Sequence, residues 1–408
     1  MSTSVVEHYI HNGLRKIKPY HHTATNFVKG RWLNRTILEV LIDEFRTRDE
    51  AYYTSEILQN RIIITRQNEE LKGEILKELK IQNKDKLTMI THKHEPMVKA
   101  YPNDRIPIIY EDEQLVIVDK PSSVPVHPTA RFVNNTLTEI LKVQLKLQDN
   151  IYPCHRLDKL TSGIVILAKD TQSANKIQSK IQIHSSSSSD KSSMQKTYLA
   201  KVQGRFPYTE PLTFSKPLLS IDTKKGFTNG ITPAREATTV FKLYKYDPVN
   251  NESIVWCEPQ TGRTHQIRIH LKLLGYPITN DPLYGPNASP YRSKLIDTDL
   301  QISEDEKREL FEQLSKETRN DIGEKLTGEK CHECGELEFR DPIETELELY
   351  LHAFRYVLKF DKDESGLKGL NGSGVNIGIS EDQFEDDSTV WKFETEMPEW
   401  AANFGLTG

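Results

Sequence analysis

Asp158 is the acid around which chemistry can be organised in this chain. It lies in the segment His155-Arg156-Leu157-Asp158-Lys159-Leu160-Thr161-Ser162-Gly163, a short polar turn ended by glycine. An apolar run, Ile164 to Ala168, follows at once and reads as a strand. A carboxylate held there could serve as a nucleophile or a general base, whereas a lone aspartate in such a turn is ordinarily a turn former or helix cap. A second cluster, Cys331-His332-Glu333-Cys334, is half of a zinc-ribbon pattern. The other cysteines, Cys154 and Cys257, do not form a second Cys-x-x-Cys, so the pair is expected to be a reduced loop with no metal. Neither G-x-x-x-x-G-K-(S/T) nor G-x-G-x-x-G occurs, and no nucleotide cofactor is expected.

Further blocks share a pattern with the first. Residues 258 to 285 read Glu-Pro-Gln-Thr-Gly-Arg-Thr-His-Gln-Ile-Arg-Ile-His-Leu and then Lys-Leu-Leu-Gly-Tyr-Pro-Ile-Thr-Asn-Asp-Pro-Leu-Tyr-Gly. A weaker block runs Lys196-Thr-Tyr198-Leu-Ala200-Lys-Val202-Gln-Gly204. Smaller ones are Tyr110-Glu111-Asp112 through Val118-Asp119-Lys120-Pro121 to Val126-His127-Pro128, and Leu351-His352-Ala353. Together they resemble the RluA family of pseudouridine synthases: its HRLD-x-x-(T/S)-SG signature, its GRTHQIR and G-x-PI-x-x-D-x-x-YG blocks, and its K-x-Y-x-A-x-V-x-G strand, in family order. The resemblance implies an α+β fold built on a mixed, largely antiparallel sheet with the cleft across its middle. It implies that Asp158 is the catalytic residue, Arg268 its cation, and Tyr198 a ring beside the flipped base whose hydroxyl relays a proton. Arg156, Arg263 and His265 are then expected to contact RNA. Some fungal relatives carry a fused deaminase, but no histidine here starts the H-x-E that such a zinc site needs.

The implied chemistry suits these residue types. Breaking a glycosidic bond, turning the uracil and rejoining it through carbon leaves the atom count unchanged, so no redox cofactor, metal or nucleotide is expected. An ionised carboxylate in a water-poor cleft calls for a fixed cation. Arg268 falls on Thr264 to Leu274, which reads as a helix with Ile267, Leu271 and Leu274 at i, i+4 and i+7 as its buried stripe. Arg268 is expected to flank that stripe, on the side of Thr264 and His265.

Composition agrees with an RNA enzyme without identifying one. Four unevenly spaced cysteines do not make a disulfide framework, and the longest apolar runs fall far short of a membrane helix. A cytoplasmic enzyme is expected, with mitochondrial import also open, since no targeting peptide is evident. The net charge of −5 conceals an asymmetry: residues 341–408 hold 15 acids and 5 bases, leaving +5 on the rest. Arg15, Lys16, Lys18, Lys29, Arg31 and Arg35 occupy an acid-free stretch interleaved with Tyr20, Phe27 and Trp32. Such a stretch suits phosphate neutralisation and base stacking, with Lys29, Arg31 and Arg35 as the chosen contacts; it equally suits a basic surface helix with a core aromatic or two. The pattern from Arg31 to Thr65 weakly resembles an S4-like RNA-binding module, with Asn60 where a glycine is usual.

Three parts are expected. Residues 1–100 form the basic N-terminal module and residues 101–362 the catalytic domain, interrupted by insertions at 184–194, which is serine-rich, and 288–340, which is charged and helix-prone. Residues 363–408 form an acidic extension whose Val390 to Trp400 stretch adds a strand or docks on the body. The expected substrate is RNA, foremost tRNA at nucleotide 31 or 32, acted on by a monomer that does not engage a membrane. The alternatives are an rRNA or snRNA substrate, or an inactive RNA-binding protein on the same fold.

Overall fold

The computed structural model describes residues 6–45, 49–129, 131–182, 194–360 and 389–405. The serine-rich run from 185 to 193 and the acidic run from 381 to 387 lie outside these residues. The chain divides into two compact units, one of residues 1–8, 17–95 and 330–338, the other of residues 9–16, 96–329 and 339–408. No described helix is long and apolar enough to cross a membrane.

The larger unit is built on a ten-stranded sheet. Its central strand, Ser162–Ala168, is the apolar run that follows the Asp158 turn, and Ile164 to Ala168 are 0–1% exposed. A strand apolar on both faces has to lie inside a sheet covered on both sides. One neighbour, Leu115–Lys120, runs antiparallel in register Gly163↔Lys120 to Ala168↔Leu115. The other, Leu351–Phe360, runs parallel, with Gly163 opposite Ala353. At Gly163 φ is +107°, and a Cβ would lie 2.3 Å from the Ala353 carbonyl oxygen. Only glycine allows the two backbones to meet there. Beyond Leu351–Phe360 come Met194–Gln203, Glu252–Pro259, Thr238–Asp247 and Leu212–Ser215, all antiparallel. The mixed, largely antiparallel α+β sheet is therefore as expected. Thr389–Glu394 pairs with Leu351–Phe360, which gives the late stretch its strand. In the charged insertion lie the helices Pro290–Ile296 and Glu304–Glu324, then the strands Leu326–Lys330 and Leu337–Phe339.

The smaller unit carries the antiparallel strands Tyr20–Phe27, Lys86–Lys93, Ile62–Arg66 and Glu69–Lys72, side by side in that order. Helices Ile37–Val40 and Glu50–Leu58 precede the third of these. The first opens on a capping box: the Glu39 N–H donates to Thr36 Oγ1, and the Thr36 N–H to the Glu39 carboxylate. Asn60 has φ +57°, so it supplies the left-handed backbone for which a glycine is usual.

Candidate active site

The turn bearing Asp158 is fastened from three sides. The Thr161 N–H donates to the Asp158 carbonyl at 3.1 Å, closing the turn. His155 Nε2 accepts from the Ile166 N–H at 3.2 Å, tying the start of the turn to the strand that follows. Burial holds the His155 imidazole well below its usual pKa, so it is a neutral acceptor with a structural task. From below, the fully buried Lys120 ammonium donates to the carbonyls of Pro121, Val124 and Lys159 at 3.0, 2.9 and 3.2 Å. Burial pulls Lys120 down to about 7, against the attraction of Asp158 and Asp119. The Ser122 hydroxyl donates to the Leu160 carbonyl alongside.

Arg268 reaches Asp158 from the helix Gln266–Leu273. Its Nη1 donates to Asp158 Oδ2 at 3.0 Å. Its Nε and Nη2 grip Asp281 in a fork at 2.6 and 2.7 Å. The Asp281 carboxylate is 0% exposed and also accepts the N–H groups of Leu283 and Tyr284 at 2.8 and 3.0 Å. Burial alone would push this carboxyl up; Arg268 and the two amides hold it below the usual range. The helix departs from the simple stripe expected of it. Ile267 and Leu271 are buried, but so are Gln266, Arg268, Ile269 and His270, because sheet and loop pack on every side. Arg268 is thus 4% exposed, a core residue whose charge is tolerated through Asp281.

His265 begins this helix with φ +55°. Its Nε2 lies 3.7 Å from Asp158 Oδ2, and its Nδ1 shares a 2.9 Å hydrogen bond with the Tyr284 hydroxyl. Burial pulls His265 down to about 4, against the Asp158 charge, so at neutral pH the ring is uncharged. Tyr198 comes from the strand Met194–Gln203, which carries an irregularity between Thr197 and Tyr198 against its neighbour. Such a bulge re-aims the side chain that follows it. The Tyr198 hydroxyl bonds that of Tyr356 at 2.8 Å, and burial raises its pKa to about 12, so it stays protonated. The Tyr356 ring packs against His155 at 5.3 Å, and Lys196 lies 5.7 Å from its centroid.

The other expected contacts scatter. Arg156 is exposed on the turn, and half-buried Arg263 donates from Nε to the Glu236 carbonyl at 3.0 Å. In the smaller unit, the acid-free stretch of sequence does not yield isolated cations. Arg31 binds Glu44 at 2.8 and 2.5 Å and holds that carboxyl below its usual range. Arg35 bonds Asp43 and lies 3.8 Å from Glu44. Lys29 lies 5.4 Å from the centroid of Trp32, which is itself a core residue. Phe27 is the outward aromatic, 65% exposed, with the Lys86 ammonium 5.2 Å from its ring.

Sequence reasoning assigned no role to Asp281, Lys120 or Tyr356. Each stands inside or beside a quoted block, yet spacing alone does not say that Asp281 faces Arg268 or that Lys120 lies under the turn.

With this geometry in view, the profile of the family described as RNA pseudouridylate synthase matches residues 114–273, which hold Asp158, Tyr198 and Arg268. The tRNA pseudouridine(31) synthase of Saccharomyces cerevisiae is 36% identical over 98% of this chain and 99% of its own length. The mitochondrial tRNA pseudouridine(32) synthase of the same yeast is 36% identical over 95% of this chain and 77% of its own. Human pseudouridylate synthase RPUSD2 is 38% identical over 68% of this chain and 47% of its own.

Proposed function

This chain belongs to the RNA pseudouridylate synthase family, and from that premise we propose that it isomerises a uridine of the tRNA anticodon stem-loop, at nucleotide 31 or 32, with Asp158 opening the reaction. In this isomerisation the N1–C1′ bond breaks, the uracil turns and a C5–C1′ bond forms; the C5 proton leaves and N1 takes one up. The observation that carries the roles is the 3.0 Å contact between Arg268 Nη1 and Asp158 Oδ2, made by an arginine whose remaining nitrogens Asp281 has fixed. A cation held that way aims the carboxylate. Arg268 takes Oδ2, so Oδ1 is the oxygen we assign to the ribose, as nucleophile or as base. Tyr198, steadied by its bond to Tyr356, is the group we assign to the proton that leaves C5: its hydroxyl oxygen takes that proton as its own passes to water, and the proton taken up at N1 closes the balance. His265, neutral and beside Asp158, is assigned to the flipped nucleotide.

The choice of tRNA rests on the two yeast relatives, both named as tRNA enzymes and both aligned over nearly all of this chain. We assign RNA holding to the smaller unit, and its helix–helix–strand–strand run from Ile37 to Lys72 supports the S4-like reading. Exposed Phe27, with Lys86 over its ring and Lys29 nearby in sequence, is a stacking platform of the kind single-stranded RNA uses. Arg31 and Arg35 reach phosphates only by giving up their acid partners. The test is to map pseudouridines in cytoplasmic and mitochondrial tRNA from cells with and without the gene. Loss at nucleotide 31 or 32 is expected; intact tRNA with loss in rRNA or snRNA would overturn the substrate choice.

A further inference from the structure

The smaller unit brings together four side chains that the active site does not use. His92 lies near the end of the strand Lys86–Lys93 and His94 one residue past it, two apart in a chain that sends alternate residues to one face while it is extended. Opposite them is the loop between the strands Leu326–Lys330 and Leu337–Phe339, with Cys331 and Cys334. Cys331 Sγ lies 3.6 Å from His92 Nδ1, and Cys334 Sγ lies 3.4 Å from His94 Nε2. All four of these atoms fall within 4.8 Å of one another. A tetrahedral ion with Zn–N and Zn–S bonds of about 2.0–2.3 Å places its ligands roughly 3.3–3.8 Å apart. The two sulfur–nitrogen separations are edges of that size.

We propose that His92, His94, Cys331 and Cys334 bind one zinc ion as a structural site. The surroundings favour metal over a plain thiol pair. The cysteine loop is a closed knuckle: the Cys331 N–H donates to the Glu336 carbonyl at 2.8 Å, the Gly335 N–H donates to the Cys331 carbonyl at 2.9 Å, and Gly335 turns the chain with φ +67°. The Glu333 N–H points at Cys331 Sγ from 3.4 Å, a donor suited to a thiolate. On the far side of the His92 ring, Glu333 Oε2 stands 3.5 Å from Nε2 while Oε1 holds His21 at 2.6 Å. A carboxylate on the ring nitrogen away from the metal is the usual outer support of a ligating histidine, and it sets Nδ1 free to ligate. Two thiolates and two neutral imidazoles make a neutral site with a divalent ion, and mixed nitrogen–sulfur donors select zinc over oxygen-loving cations. All four ligands belong to one compact unit, so the ion would tie the knuckle to a strand about 240 residues earlier in the chain. The Cys331–Cys334 pair is then no reduced loop; its second half comes from a strand as histidines, which a search for a second Cys-x-x-Cys passes over.

The test uses the full chain purified under reducing conditions. About one zinc per chain is expected by elemental analysis. Replacement by cobalt should give the visible bands of a tetrahedral ion with thiolate-to-cobalt charge transfer. Cys331→Ser with Cys334→Ser should abolish both signals. Glu333→Gln, which leaves the ligands in place, should weaken zinc by about tenfold or more. Chelation should lower the melting temperature of the native chain. Metal-free protein whose melting is indifferent to chelator, a cobalt form lacking the thiolate band, or a Cys331–Cys334 disulfide in the native chain would each overturn the site. If the double serine variant does not fold, the cobalt spectrum of the native chain and the Glu333→Gln affinity still decide.

Discussion

Two arginine–carboxylate constellations, one in each unit, differ in almost everything but their atoms. Arg268 is 4% exposed and holds Asp281, which is 0% exposed, with a two-pronged grip that leaves its third nitrogen for Asp158. Arg31 is 61% exposed beside Glu44, and Arg35 is 29% exposed beside Asp43 and Glu44. In the first case neither group has water to fall back on, so each fixes the other and Arg268 is left oriented towards Asp158. In the second, solvent and salt screen the attraction and the contact contributes little. Burial turns the same contact from a surface decoration into a device for aiming a carboxylate.

The largest effect is expected from breaking the buried constellation on its side away from Asp158. Asp281→Ala leaves Arg268 buried without its fork, which should cost about 3–5 kcal/mol in urea unfolding. Pseudouridine formation should fall with it, although Asp281 bonds Arg268 and not Asp158. Asp281→Asn keeps the volume and should fold better, yet remain impaired in turnover rather than in RNA affinity. Normal rate in the folded Asn variant would show that the fork is not what aims Arg268. At Arg268 itself, lysine should retain more activity than methionine and less than the native residue, because it keeps a cation but cannot serve two carboxylates. Equal rates in the two variants would remove charge from its role.

Acid should separate the constellations next. His265 and His270 are each pulled down to about 4 by burial, His352 to about 3, and His155 lies well below its usual value. In the unfolded chain these rings take up protons near pH 6.5, while the folded rings do not until near pH 4 or below. Stability present above pH 6.5 is therefore lost as pH falls from about 6.5 towards 4. His270→Asn, remote from Asp158 by its bonds to Thr239 and the Lys216 carbonyl, should flatten part of that slope in melting curves. An unchanged slope would mean that His270 is not buried neutral.

The smallest effects belong to the exposed pairs. Glu44→Gln should release Arg31, while Asp43 keeps Arg35, and steepen the dependence of RNA affinity on salt. Replacing Lys29, Arg31 and Arg35 by alanine should flatten it, by at most about 0.7–0.9 in log–log slope for each lost contact. No change in slope in either variant would place RNA recognition wholly in the larger unit.

What the sequence revealed follows the same division. Asp158, Tyr198 and Arg268 were legible because their neighbours in the chain form short, ordered motifs. The sheet was legible because Ile164 to Ala168 is apolar on both faces. Asp281 was not read as Arg268's partner, since the fork depends on a loop folding back across a helix. Arg31 and Arg35 looked unopposed because their acids come 13 and 8 residues later, on the next helical turns. His92 and His94 gave no metal signal because their partners come from an insertion in the other half of the chain. Local pattern picks out the candidate groups, and distant contacts decide what surrounds each one.

The central claim is that Asp158, aimed by Arg268, does the chemistry. It is tested most directly by the single-turnover rate of pseudouridine formation in Asp158→Asn on an anticodon stem-loop, with RNA affinity measured beside it. The expected result is a fall of about 10²–10⁴-fold or more in rate with affinity within a few-fold, because phosphate contacts supply most of the binding. A folded Asp158→Asn protein that converts its uridine at the native rate would contradict it.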